Sequence, residues 1–434
     1  MTADEIRTLV RENTKLRTQR MIVGICLMIT IIDGFDILSI SFVAPIIARS
    51  WGISPVELGI VFSSGLAGMM VGALALSPLG DLLGRRTAIV INLVMIGCGM
   101  LLTATAHDVT SLALYRFLAG LGIGAMISST GTLIMEFIPL AKRTRALGLM
   151  LVGNPAGNLI SGLVSLAVVH AWGWQAVFVV GGVLTLAMIP AAYFGMPESI
   201  DYGLVRRPKG ALGKINASLH RAGLPPLEAL PPPVPAAERV RAWEVLRGRL
   251  LKVTIMAGAV QFIFMFAYYI FVNWSPKLMT EMGASDQAGV TIAMMINLGG
   301  IFGPLLVGFA TPKVGLVRTT AIGYCAIATC LVAFGAAPGI YVLLGGIALI
   351  AGFSIFATQV PLYALVAGSY PSEVRATAVG LTFALGRIGS VIGPTIAGFL
   401  LAAETGRFGL FLVAALPMFL AALLVTRMRV KDDL

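Results

Sequence analysis

Residues 146 to 197 contain no Lys, Arg, Asp or Glu, and residues 319 to 372 are equally free of them. A bilayer core about 30 Å thick is crossed by about 20 apolar residues in helix, so each stretch is long enough for two spans. The first divides at the HAWGW turn, residues 170 to 174, and the second at Pro338 and Gly339. The same reading predicts helices over 20–48, 55–79, 86–106, 109–137, 145–169, 174–196, 251–279, 286–310, 317–337, 339–369, 376–402 and 407–427. The fold class is therefore an all-α membrane protein of twelve transmembrane helices.

The longest polar stretch, 197–250, contains LPPLEALPPPVPAAER, too rich in proline to pack as a span. It divides the chain into an N-terminal segment (1–19), a six-helix bundle (20–196), a central loop (197–250), a second six-helix bundle (251–427) and a tail (428–434). ERVRAWEVLRGRL, at the end of the loop, reads as an amphipathic helix on the membrane surface. The two bundles share a pattern. Pro139, Arg143 and Gly148 are spaced as Pro371, Arg375 and Gly380, and Gly72 to Gly84 aligns with Gly303 to Gly315 at nearly the same offset. Parallel six-helix repeats follow, an architecture suited to alternating access.

Composition agrees, with 58% hydrophobic and 12% charged residues among 434. The excess of 31 Lys and Arg over 20 Asp and Glu does not mark a nucleic-acid binder, because it follows the loops of one side. Arg49, Lys277 and Arg407 fall on the other side, and Arg116 and Arg387 fall within spans. The positive-inside rule then puts both termini in the cytoplasm of a cell whose inner membrane holds the protein. Four cysteines, all in predicted spans, give no disulfide framework. The histidines His107, His170 and His220 are too scattered for a metal site, and no phosphate loop or nucleophile elbow occurs. The reading is of a non-enzyme without a cofactor other than the proton as coupling ion.

DGFD, residues 33 to 36, breaks the first span. An ionised carboxylate near a span's centre costs about 2.5–3.5 kcal/mol on insertion scales, so both acids must face the bundle interior or a wet cavity. A spacing of three puts them on one face, roughly 20–24 Å along a helix that starts near Arg20. Arg116 lies about 10–12 Å into span four and can pair with Asp36, and Arg387 lies about 18 Å into span eleven. The buried tally is two negative and two positive charges, and adding one carboxylate with one proton leaves it unchanged. A packing ion pair between Asp and Arg is the competing reading.

GDLLGRR (80–86), RFLAGLGIG (116–124) and PES (197–199) resemble signatures of the major facilitator superfamily. Within it, DGFD, WGWQAVFVVGG (172–182), VNWSPKL (272–278) and YPSEVRATAVG followed by Arg387 resemble the aromatic acid:proton symporters. The resemblance implies a major facilitator fold, import of benzoate- or hydroxybenzoate-type acids with protons, and proton handling by Asp33 and Asp36. It departs from the pattern at Pro312, where the first half has Asp81.

Arg387, helped by Arg116, is expected to hold the carboxylate, since guanidinium binds it bidentately and stacks on rings. Span seven supplies candidate walls in Gln261, Phe264, Tyr268, Tyr269, Asn273 and Trp274, with Gln359, Tyr363, Asn154 and Asn158 from spans ten and five. Asp81, Arg85, Arg86, Glu136, Arg143, Glu373 and Arg375 cluster at one set of helix ends and read as a cytoplasmic gate. The expected partners are a small aromatic carboxylate, protons and the lipid bilayer, with no nucleic acid and a monomeric chain. Symport of another organic anion or a sugar, drug export, and ligand sensing without transport are the alternatives; GNPAGNLISG only partly matches the GPxxGG that export would bring to span five.

Overall fold

Apolar side chains all round a helix leave its backbone groups no partners but each other, so the long hydrophobic stretches fold as helices that meet lipid on one side and one another on the other. The computed structural model describes residues 1–232, 247–370 and 374–428. Twelve of its helices are long and apolar enough to cross a membrane: α2 (Leu16–Trp51), α3 (Pro55–Ala75), α5 (Arg85–Thr103), α6 (Val109–Phe137), α7 (Leu140–Trp172), α8 (Gln175–Gly195), α11 (Gly248–Glu281), α12 (Asp286–Val314), α13 (Leu316–Ala336), α14 (Tyr341–Gly368), α15 (Arg375–Ala402) and α16 (Gly406–Thr426). The protein is a multi-pass membrane protein. An even number of spans puts both ends of the bundle on one side, the terminal face; the opposite side is the far face.

Four shorter helices lie at the terminal face. α1 (Ala3–Asn13), α9 (Ile200–Arg206) and α10 (Ala211–Ala222) occupy segments read from sequence only as polar, and α4 (Leu79–Leu83) follows a break after α3. α1 starts in a capping box between Thr2 and Glu5 and buries Ile6 and Val10. Arg7 reaches Asp201 of α9 at 2.5 Å, and that carboxylate holds the guanidinium's pKa above its ordinary value. The amphipathic segment ERVRAWEVLRGRL lies largely outside the described residues, since 233–246 are not among them.

The repeat seen in sequence is also a repeat of packing. In the first half α2 packs on α7, α3 on α6, and α5 on α6 and α8; in the second α11 packs on α15, α12 on α14, and α13 on α14 and α16. Gly84 and Gly315, matched in the alignment, both have positive φ (98° and 93°) with ψ 149°, each leading into a helix. That backbone is available to glycine almost alone, which explains the shared residue. The match ends there: α12 runs unbroken through Pro304 and Pro312, whereas the first half stops at Ala75 and restarts as α4.

Close packing of α2 on α7 depends on Gly34, where a methyl group would overlap the Asn154 carbonyl oxygen. Gly34→Ala is therefore expected to be overpacked by about 1–3 kcal/mol. A fall in the thermal midpoint of the detergent-purified protein measures it; an unchanged midpoint would mean that the helices part at no cost.

Candidate functional site

At mid-membrane α2 brings Asp33 and Asp36 to the interior, 2% and 0% exposed. Their fates differ. Asp36 Oδ1 accepts from Arg116 Nη1 at 2.6 Å, and Arg116 Nη2 donates to the Asp36 backbone oxygen at 3.0 Å. The guanidinium also lies 5.7 Å from the centre of the Phe178 ring, a cation–π contact. Both Nη groups of Arg116 are thus engaged by one residue, while its Nε has no hydrogen-bond partner among the described residues. Asp33 has no such partner: its Oδ1 is buried and without a hydrogen bond among the described residues.

Arg116→Gln would leave the Asp36 carboxylate buried without its counter-charge, the costly half of breaking a buried ion pair, about 3–5 kcal/mol. Low yield and a lowered thermal midpoint are expected, with partial recovery in the Arg116→Gln, Asp36→Asn double variant. If the double variant is no better than the single one, the pair is not what holds α2 to α6.

Arg387 of α15 is half-buried where the two halves meet. Its Nη1 lies 3.9 Å from Met69 Sδ of α3, and among the described residues it forms no ion pair. Tyr269, 8% exposed, is close enough to feel its charge. Tyr268 packs edge-on to Tyr269 with ring centres 4.9 Å apart, and stacks on Phe264 at 6.3 Å. One turn earlier Gln261 is fully buried with both amide atoms unpartnered. A cation without an anion, phenol rings and an idle amide thus share one helix pair, α11 and α15, while the idle carboxylate of Asp33 stands in the other half.

Other expected wall residues turn out to be joints. Asn273 accepts from Ser41 Oγ at 2.9 Å, and Asn158 Nδ2 donates to Asn297 Oδ1 at 2.7 Å, each bond linking the two halves. Trp274 donates to the Pro394 oxygen and meets Phe62 of the first half edge-on at 5.5 Å. Asn154 lies 3.5 Å from Asn158, a bond at the limit of length. Ser41, Ser63, Met69, Asn297 and Thr395 are contributors that the sequence did not flag; isolated hydroxyls and amides in apolar spans were the available signal. Gln359 is half-buried and without a hydrogen bond among the described residues. Tyr363 is 55% exposed, about 33 Å down α14 from the far face, with its ring against Phe383. Phe383 is one turn from Arg387 on α15, so Tyr363 stands on the terminal-face side of that arginine.

The polar links across the seam lie towards the far face. Arg49 pairs with Asp286, Gln287 Nε2 lies 2.7 Å from His170 Nε2, and Thr395 Oγ1 bonds Ser63 Oγ at 2.7 Å. At the terminal face the expected gate residues are bound within their own halves. Asp81 pairs with Arg85 at 2.5 Å, and Arg86 stacks over Tyr193 while its backbone N–H donates to Glu198 at 3.0 Å. Glu136 accepts from Ser199 Oγ at 2.7 Å and from the Ile200 N–H at 3.0 Å, capping α9. Arg143 donates to the Met135 oxygen and Arg375 to the Tyr370 oxygen; Glu373 lies outside the described residues. Glu198, in the PES motif, is the carboxylate the motif supplies: it caps α5 beneath Gly84. Among the described residues this arrangement closes the seam at the far face and leaves no gate pair across it at the terminal face.

The model of the Major Facilitator Superfamily matches residues 26–394. A gallate transporter of Pseudomonas putida is 30% identical over 94% of this chain and 91% of its own, and a 4-hydroxybenzoate transporter of the same species is 30% identical over 90% and 88%. The xylose transporter of E. coli in its inward-open form superposes with a TM-score of 0.73, covering 94% of this chain and 95% of that one at 16% identity, a likeness of fold.

Proposed function

The chain belongs to the Major Facilitator Superfamily, and on that premise we propose that it imports aromatic carboxylates of the benzoate or hydroxybenzoate type together with protons, by alternating access. It is not an enzyme. The observation that carries the reading is the pair of charges at mid-depth that are unanswered among the described residues: Arg387 without a carboxylate in the second half, and Asp33 without a donor in the first. The relatives that are transporters of hydroxylated benzoates support the choice of anion.

In this reading the bundles 20–196 and 251–427 rock about the seam, with loop 197–250 and both termini in the cytoplasm of a cell with the protein in its inner membrane. The chain acts as a monomer. The carboxylate docks bidentately on Arg387 with its ring beside Tyr268 and Tyr269, and the unpartnered amide of Gln261 hydrogen-bonds the ligand. An anion alone would leave the buried charges at net −1, which the membrane interior resists. A proton on Asp33 restores neutrality, so the two load together. Asp36 and Arg116 stay paired and hold the first half rigid. The structure described here is the state closed at the far face. Asp81, Arg85, Arg86, Glu136, Arg143, Glu373 and Arg375 form the cytoplasmic gate when the terminal face closes in turn, and the far-face joints then part.

Uptake of labelled benzoate by right-side-out vesicles under an inward proton gradient tests the reading, and competition by hydroxybenzoates, phenoxyacetates and arylpropionates ranks the acids. Xylose uptake without benzoate uptake would overturn it.

A further inference from the structure

Beside the far-face joints the two halves leave a cavity of about 250 Å³ that is open to the outside of the bundle. Ligand pockets span about 300–1,000 Å³, so this one suits a single ring. Its apolar walls include Phe42, Leu166, Val169 and Val290, and its polar groups are Arg49, His170, Asp286 and Gln287. Ser165 also lines it, 2% exposed, with a hydroxyl that has no partner among the described residues.

Arg49 and Asp286 are the ion pair that ties α2 to α12 across the seam. Both are partly exposed, at 57% and 29% of the side chain, and a pair so exposed is weak and open to competition. Asp286 sits at the first residue of α12, where free backbone N–H groups favour a negative charge, so it is stable when its partner leaves. Its Oδ1 has no hydrogen-bond partner among the described residues even in the paired state.

We propose that this cavity is an outer docking site for the aromatic carboxylate, whose anion displaces Asp286 from Arg49 and so releases the far-face latch. The inference rests on the transport reading above and adds a second site to it, far from Arg387. A ligand shifts a conformational equilibrium only through a difference in affinity between states. The carboxylate has that difference, because the guanidinium is free to take it where Asp286 has let go. The ring lies against the apolar wall, and the Ser165 hydroxyl and His170 face the carboxylate or a ring hydroxyl. In this way the outer gate opens to its own cargo rather than at random.

The test uses the full chain in right-side-out vesicles, with Cys26, Cys98, Cys325 and Cys330 replaced by serine and Ser63→Cys as reporter. Ser63 is 7% exposed and bonded to Thr395 across the seam, so alkylation by a membrane-impermeant maleimide reads opening of the far face. Benzoate should raise the alkylation rate severalfold. Asp286→Asn should raise the rate without benzoate by about twofold to fivefold, the range of an exposed ion pair, and remove most of the increment. Leu166→Trp, which fills the cavity and spares the pair, should keep the low rate and lose the increment; Val169→Phe repeats this if the first variant folds poorly. Arg387→Gln should keep the increment.

An increment that survives in the cavity-filled variants, or disappears in Arg387→Gln, assigns the effect to the central site and overturns the proposal, as does an unchanged basal rate in Asp286→Asn. Labelled benzoate uptake by the same vesicles separates the two readings. Transport without this pattern fails the outer site alone. Absence of transport fails the parent reading, while the benzoate-free rate of Asp286→Asn still reports on the latch.

Discussion

Arg387→Gln is expected to stop benzoate accumulation while leaving the protein folded. Truncating one partner of a buried charged hydrogen-bonded pair costs about 2–5 kcal/mol, which is about 30-fold to several thousandfold in affinity. Because Arg387 is half-buried rather than sealed, the lower part of that range is the expected loss. Fold is spared because the guanidinium has no ion-pair partner among the described residues to leave behind, only Met69 Sδ at 3.9 Å. Arg387→Lys keeps the charge but not the planar fork, so it should recover part of the loss and bind with less discrimination among ring acids. Initial rates against benzoate concentration, with thermal midpoints as the control for folding, decide the matter. A wild-type half-saturation in Arg387→Gln would move the anion site elsewhere.

The second large effect is expected at Asp33. Asp33→Asn should abolish uphill accumulation and leave exchange of labelled for unlabelled benzoate intact, because exchange returns each proton it takes. One pH unit is worth about 1.4 kcal/mol for each coupled proton, about tenfold in accumulation. In the variant that ratio should fall to one under any imposed gradient. Asp36→Asn should behave differently. Its carboxylate is the counter-ion of Arg116 at 2.6 Å, so its loss leaves a buried guanidinium unpaired and should reduce yield and stability before it changes coupling. Accumulation that persists in Asp33→Asn would place the proton carrier on another residue.

The contrast between these two acids was invisible in the sequence. DGFD shows two carboxylates three residues apart on one helical face, and helix rise gives their depth, but neither says which guanidinium comes close. Depth put both Arg116 and Arg387 within range. Rotation of α6 about its own axis, set by its close packing on α3 at Gly68, Gly72, Gly120 and Gly124, gave Arg116 to Asp36. The joints were hidden for the same reason. Asn158 and Asn297 are separated by 139 residues, and no local pattern links an amide in α7 to one in α12.

The sequence by itself determined the twelve spans, the six-and-six division and the repeat, because hydrocarbon forces every backbone group to be satisfied within its own helix and so makes the span a local property. It also determined that charges buried at mid-depth need each other or a ligand. The short helices α1, α9 and α10 escaped because they are stabilised by docking on one another and on the bundle rather than by local hydropathy: Arg7 of α1 on Asp201 of α9, Glu136 capping α9, and Thr18 of α2 bonded to the Arg221 oxygen of α10. Only the tertiary structure decided which charges are answered and which are left open, since pairing depends on helix rotation and on contacts across the seam. That choice separates Asp33 and Arg387 from Asp36 and Arg116.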